Sequence, residues 1–365
     1  MSKSNTWCRT CLESESRAKM TSNSCPDSGS VSAELPPFIP FQTGPRLERI
    51  PDDVLLEIVS HLPTIDNRRD GMYDTHPVYD LMPARTSTLR ALSQTSRLSR
   101  SRCLALAWQR TEFFGPNIWR RDMSFHEAIG KGTYSSIHVL KACPYLLPLI
   151  RTVSVTLKSH QKAKIPEFAA CLATLPNLDT IEVIFTGWDM EMQAVVNNAF
   201  RGERIPSVRR ISIPSSMHEI IRGCPNLEEV TCVVGDGSKI IQSLVAGKCH
   251  QIRILKGISA PLTQLVNLVP NLTHASVVLK SDMTPLTSFP FLDTIEILVS
   301  YHVRVDLPLS EFLALDIKKA REILKRNKSQ AQKTVVLTKS NNHWDYRTYE
   351  INIGRAYMTR ETIKV

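Results

Sequence analysis

No apolar run in this 365-residue chain approaches the ~18 consecutive residues that would span a bilayer, so no membrane segment is expected. The polar start Met-Ser-Lys-Ser-Asn lacks the apolar core of a signal peptide, which points to the cytoplasm or the nucleus. Nine cysteines, an odd count, fall at no disulfide-framework spacing, so reduced thiols are the simpler expectation. Catalytic signatures are missing too. There is no Gly-x-Ser-x-Gly, no metal spacing among the ten histidines, and no pair of carboxylates framed by special turns. The expectation is a chain that is not an enzyme and that carries no cofactor and no metal.

Two look-alikes fail on their surroundings. Trp7-Cys8-Arg9-Thr10-Cys11 has redox-motif spacing, but the polar residues before it cannot supply the buried strand such a motif needs. Cys25 would be a third thiol for zinc, with no near fourth ligand. Ile129-Gly130-Lys131-Gly132-Thr133-Tyr134-Ser135 resembles a kinase glycine-rich loop. The chain lacks the Val-Ala-Ile-Lys, His-Arg-Asp and Asp-Phe-Gly segments that phosphoryl transfer requires, so two glycines in a loop before a helix are expected there.

Acids are outnumbered by bases, 35 to 45, for a net charge of +10. The excess is local: between Arg85 and Arg121 there are eight arginines and one acid, Glu112. Apolar residues make up 42% of the chain, enough for a substantial core, and the length suits two domains. Residues 1–45, rich in Ser, Pro and charge, are expected to be a disordered leader.

Ile50 to Leu62 predicts a short amphipathic helix with Val54, Leu55, Ile58, Val59 and Leu62 on one face and Asp52, Asp53, Glu57 and Ser60 on the other. Pro51 and the two aspartates suit the first turn, and Pro63 stops the helix. Leu89, Leu92, Leu98, Leu104 and Trp108 predict two more short helices. Three such helices bury little by themselves, so part of their apolar surface is expected to meet a partner.

Ile-Pro-Asp-Asp-Val-Leu-Leu-Glu-Ile-Val-Ser-His-Leu-Pro, followed by Leu-Arg-Ala-Leu-Ser-Gln-Thr-Ser-Arg-Leu and Leu-Ala-Trp, resembles an F-box of the kind common in fungal proteins. The resemblance covers residues 46–125 with an insertion at 64–87. It implies docking on a Skp-type adaptor and, through it, a cullin-RING ubiquitin ligase. It also implies that Ile50, Pro51, Val54, Leu55, Ile58, Leu62, Leu92 and Leu98 are the adaptor-binding positions. The adaptors of that family are acidic, which suits the arginine-rich stretch. Phe113, Phe114 and Trp119, with Trp108, are expected to pack this region against the segment C-terminal to it.

From Pro148 the chain repeats. Pro-Asn-Leu-Asp-Thr-Ile-Glu-Val at 176–183 has counterparts starting at Pro148, Pro206, Pro225, Pro270 and Pro290, with a degenerate copy at 250–257. The anchors Ile150, Leu178, Val208, Leu227, Ile252, Leu272 and Leu292 lie 28, 30, 19, 25, 20 and 20 residues apart. This resembles irregular leucine-rich repeats, in which stacked strands bury a shared core. The Asn usual in that family is replaced, for example by Thr186 and Ser216, so its buried hydrogen-bond ladder is expected to be absent.

The expected fold class is α+β: a three-helix F-box followed by an α/β leucine-rich-repeat-like solenoid at 126–308 and a cap of helix and strands at 309–365. The cap strands are read at Thr334–Thr338 and Tyr346–Ile353. A protein substrate, of unknown identity, would meet strand positions facing away from the core, chiefly Glu182, Arg210, Glu229, Thr231, His274 and Glu296. Their mixed charge makes nucleic acid an unlikely ligand of that face. The resulting expectation is a substrate-recognition subunit of an SCF-type ubiquitin ligase. The alternative is a scaffold or nucleic-acid-associated protein that uses the basic segments, including Lys318 to Lys328.

Overall fold

Seven strands each begin two residues after one of the repeated apolar anchors: β2 (Thr152–Leu157), β3 (Thr180–Thr186), β4 (Arg210–Ile213), β5 (Glu229–Cys232), β6 (Ile254–Lys256), β7 (His274–Val278) and β8 (Thr294–Val299). All seven anchors have zero solvent exposure. The computed structural model describes residues 50–61, 84–113, 125–157, 159–186, 190–279, 281–299, 308–340 and 358–365. It adds β1 (Arg110–Phe113) before the series, and β9 (Thr334–Ser340) and β10 (Met358–Lys364) after it. The ten strands form one sheet in chain order. Neighbours from β1 to β9 are parallel, and β10 turns back antiparallel on β9.

Parallel strands in chain order need a return segment each time, and the helices and short turns supply it. α4 (Phe125–Ala142), α5 (Ile165–Ala173), α6 (Met190–Phe200), α7 (Glu219–Arg222) and α8 (Ser238–Ala246) lead from strand to strand. Shorter turns at Leu262–Leu265 and Thr284–Ser288 do so later. α9 (Leu309–Phe312) and α10 (Ala314–Arg326) lead to β9. Upstream lie α1 (Asp52–His61), α2 (Ala84–Thr95) and α3 (Arg97–Gln109). The result is a mixed α/β, solenoid-like stack. The chain divides into two compact units, Met1–Val54 and Leu55–Val365, and the sheet belongs wholly to the second.

Register follows from what the rungs bury. One inward row runs Thr111, Val153, Ile181, Ile211, Val230, Leu255, Ala275, Ile295 and Val335, each paired with the next and each at most 2% exposed. A one-residue slip would turn that whole row to the opposite face. The backbone just before each strand repeats a second device. The Arg151 carbonyl accepts from the N–H groups of both Asp179 and Thr180, and Asp179, Arg209, Glu228, Arg253 and Thr273 do the same for the next strand.

Several expectations change at the edges. α2 starts at Ala84, so the end of the expected insertion at 64–87 is the helix's first turn. β1 lies inside the stretch assigned to the helical motif: Arg110 and Glu112 alternate with buried Thr111 and Phe113, a strand too short to register as a pattern. α4 runs through Gly130 and Gly132, so the supposed glycine-rich loop is helix, held by buried Ile137 and Leu140. Trp108 packs on the main core and Phe113 is part of it. The leader at 1–45, the Trp7–Cys11 motif, Cys25, Leu62, Phe114, Trp119 and the expected strand at Tyr346–Ile353 lie outside the described residues.

The missing Asn ladder has a partial substitute. The Asn177 side chain donates to the Pro148 carbonyl at 2.7 Å, and Asn226 donates to the Pro206 carbonyl at 2.8 Å. In these two Pro-Asn-Leu turns the asparagine therefore ties its repeat to the one before it.

Candidate functional site

The helix α1 is apolar on more than one side. Leu55 and Val59, one turn apart, are 5% and 3% exposed. Val54, Leu56 and Ile58 remain 44%, 53% and 47% exposed. Sequence spacing grouped Val54 and Ile58 with the buried pair and passed over Leu56. A ten-residue helix buries one narrow stripe, and every apolar side chain off that stripe stays wet. Pro51 is exposed and Ile50 half-buried.

α2 and α3 are separated by Ser96 alone, whose hydroxyl accepts from the Ser99 N–H at 3.1 Å and caps α3. The Arg90 guanidinium lies 4.6 Å from the centre of the Trp108 ring, bracing the two helices. Leu89, Cys103 and Ala107 are buried, Leu92 is half-buried, and Leu98 is 49% exposed. Part of the arginine excess is spent internally: Arg110 pairs with Glu182 at 2.6 Å and contacts Glu112 at 3.4 Å.

All six residues expected to meet a substrate stand on the sheet face away from the helices, in two rungs. Arg210 is in register with Glu229, and Thr294 with His274. Two residues further along each strand, Glu182 meets Ser212, Ser212 meets Thr231, and Ser276 meets Glu296. Most of these groups already have partners within the chain. Glu182 accepts from Ser154 at 2.6 Å as well as from Arg110. Glu229 pairs with Lys256 at 2.6 Å. Arg210 binds Asp179, and Arg209 binds Glu228 at 2.7 Å.

Glu296 is a second hub. It accepts from Ser276 on one side and from Thr338 at 2.8 Å on the other, joining β7, β8 and β9. His274 Nε2 lies 3.4 Å from the same carboxylate. Burial pushes the Glu296 carboxyl upward, but His274, Ser276 and Thr338 outweigh it and hold the pKa at about 2. Asp179 follows the same balance: burial raises it, and hydrogen bonds from Arg210 and Thr180 bring it below the usual carboxylate range. Of the six expected residues, Arg210 alone is exposed; the others are half-buried. Their neighbours Ser154, Lys256 and Thr338 were not foreseen, because nothing local in sequence marks a cross-strand partner.

Three buried thiols are poorly suited to chemistry. Burial pushes Cys224 and Cys232 up to about 12 and Cys249 to about 11. Among the described residues no group of three or more His, Cys, Asp or Glu is arranged to hold a metal ion. Among them, too, no helix is long and apolar enough to cross a membrane.

No protein-family model matches the sequence. No curated protein matches it either. A solved structure with some likeness is the crystal structure of a Bacteroides fragilis protein, a structural-genomics target. It is 16% identical, superposes with a TM-score of 0.28, and the match covers 50% of this chain and 67% of that one. So loose a superposition carries no argument about fold or function.

Proposed function

We propose that this chain is the substrate-recognition subunit of an SCF-type cullin ubiquitin ligase. The F-box-like helices would hold a Skp-type adaptor, and the solenoid-like sheet would present a protein substrate. The chain itself would do no chemistry; partners would supply it, through proximity.

One observation carries the reading. α1 has its inward stripe filled by Leu55 and Val59, yet still offers Val54, Leu56 and Ile58 to solvent. Covering the open halves of Leu56 and Ile58 would contribute about 1 kcal/mol each. Leu98, at a third position implied by the resemblance, is also open, and Arg97 beside it is exposed.

The test is co-purification with a recombinant Skp-type adaptor. Ile58→Asp combined with Leu98→Asp should abolish capture with little change in the unfolding midpoint, because both side chains are half-exposed. Undiminished capture by the double variant would sink the proposal. So would salt-sensitive recovery of nucleic acid with no adaptor, the outcome expected of the alternative reading.

A further inference from the structure

α10 buries Ile317, Ala320, Ile323 and Leu324 against β8, β9 and the Thr284–Ser288 turn. Its other face carries Leu315, Lys318, Lys325 and Arg326, which at 3.6 residues per turn fall within an arc of about 100° on one side of the helix. Leu315 is 76% exposed, and Phe312, three residues earlier, is 39% exposed. An isolated leucine on a surface needs no explanation, but this one lies within a cationic field. Lys318, Lys325 and Arg326 are exposed and, among the described residues, make no ion pair. Glu322 is the one acid on that stripe. The fold uses none of these side chains.

We propose that this face of α10 docks an acidic peptide segment carrying a single apolar anchor. The anchor would cover Leu315, and flanking carboxylates would pair with Lys318, Lys325 and Arg326. Charge complementarity selects the occupant: the three cations lack partners among the described residues, and the apolar centre is too small to insert into a bilayer, which takes a broad apolar stripe. Thirteen residues of helix are about 20 Å long, the reach of roughly six extended peptide residues. As a statement about substrate class the inference rests on the ligase reading above; as a statement about binding it does not.

The experiment uses the full chain and a fluorescein-labelled peptide of Asp and Glu about a central Leu, with a central-Ser version as control. Fluorescence anisotropy should show the Leu peptide binding at least about tenfold more tightly than the Ser peptide. Leu315→Ser, and separately Lys318→Glu with Lys325→Glu, should each weaken it about tenfold or more, and added salt should weaken it further. All three substituted positions are exposed, so circular dichroism should be unchanged. Adaptor capture by the same variants should also be unchanged, which separates failure here from failure of the ligase reading. No binding overturns the proposal, and so does binding that ignores the substitutions. Capture of phosphatidylserine-containing vesicles in preference to the peptide overturns it as well.

Discussion

Glu296 shows how a single side chain can serve the fold from a position suited to recognition. Its side chain is 12% exposed, and its carboxylate is tied to strands on both sides. Its native pKa of about 2 lies below the ordinary 4.5, so between those values the unfolded chain takes up the proton more readily than the folded one. The stabilisation is therefore complete above about pH 5 and is lost as pH falls towards 2, a contribution on the order of 3 kcal/mol. Urea unfolding followed from pH 6 to pH 2 should show this loss, and Glu296→Gln should flatten the acid limb while lowering stability at pH 7. An acid limb unchanged by Glu296→Gln would mean that other carboxylates govern it. Glu182 makes the corresponding link between β1, β2 and β3 through Arg110 and Ser154.

At the scale of elements, β6 is the shortest strand, and Gly257 ends it. Its φ of +67° is left-handed, and a Cβ there would meet the Cys232 carbonyl oxygen at 2.1 Å. Gly202 also has a positive φ, +92°, with nothing within 4 Å of the same position. Gly202→Ala should therefore cost about 1 kcal/mol for the backbone alone, and Gly257→Ala at least about 1 to 2 kcal/mol more, read as the difference in thermal or urea midpoints. Equal effects would remove the steric argument. The repeat was legible because Pro-x-apolar recurs and each anchor sits in a fixed relation to its strand; even the degenerate copy put Ile252 in the core. β1 was not legible, since Arg-Thr-Glu-Phe has only two inward positions and follows a helix with no Pro-Asn-Leu before it. Gly130 and Gly132 misled for a different reason: packing of α4 overrides a helix cost of about 1 kcal/mol per glycine. On α1 the spacing drew a single apolar face and could not divide it into covered and open side chains, because which are covered depends on what packs there.

A stack of parallel rungs has ends, and the last rung decides what happens at one of them. The buried core is continuous from Phe113 to Leu337. β9 would leave its N–H and C=O groups open to any passing strand were it not for β10, which pairs with it over all seven residues from Met358 to Lys364. Ile363 packs on the core from this strand, and exposed Arg360 and Lys364 discourage a further strand from adding on. Removing residues 341–365 should then lower the unfolding midpoint and make the chain associate as its concentration rises. Size-exclusion chromatography with light scattering over a concentration series measures the second effect directly. A truncated chain that stays monomeric with its midpoint intact would show that β9 is protected by something other than β10.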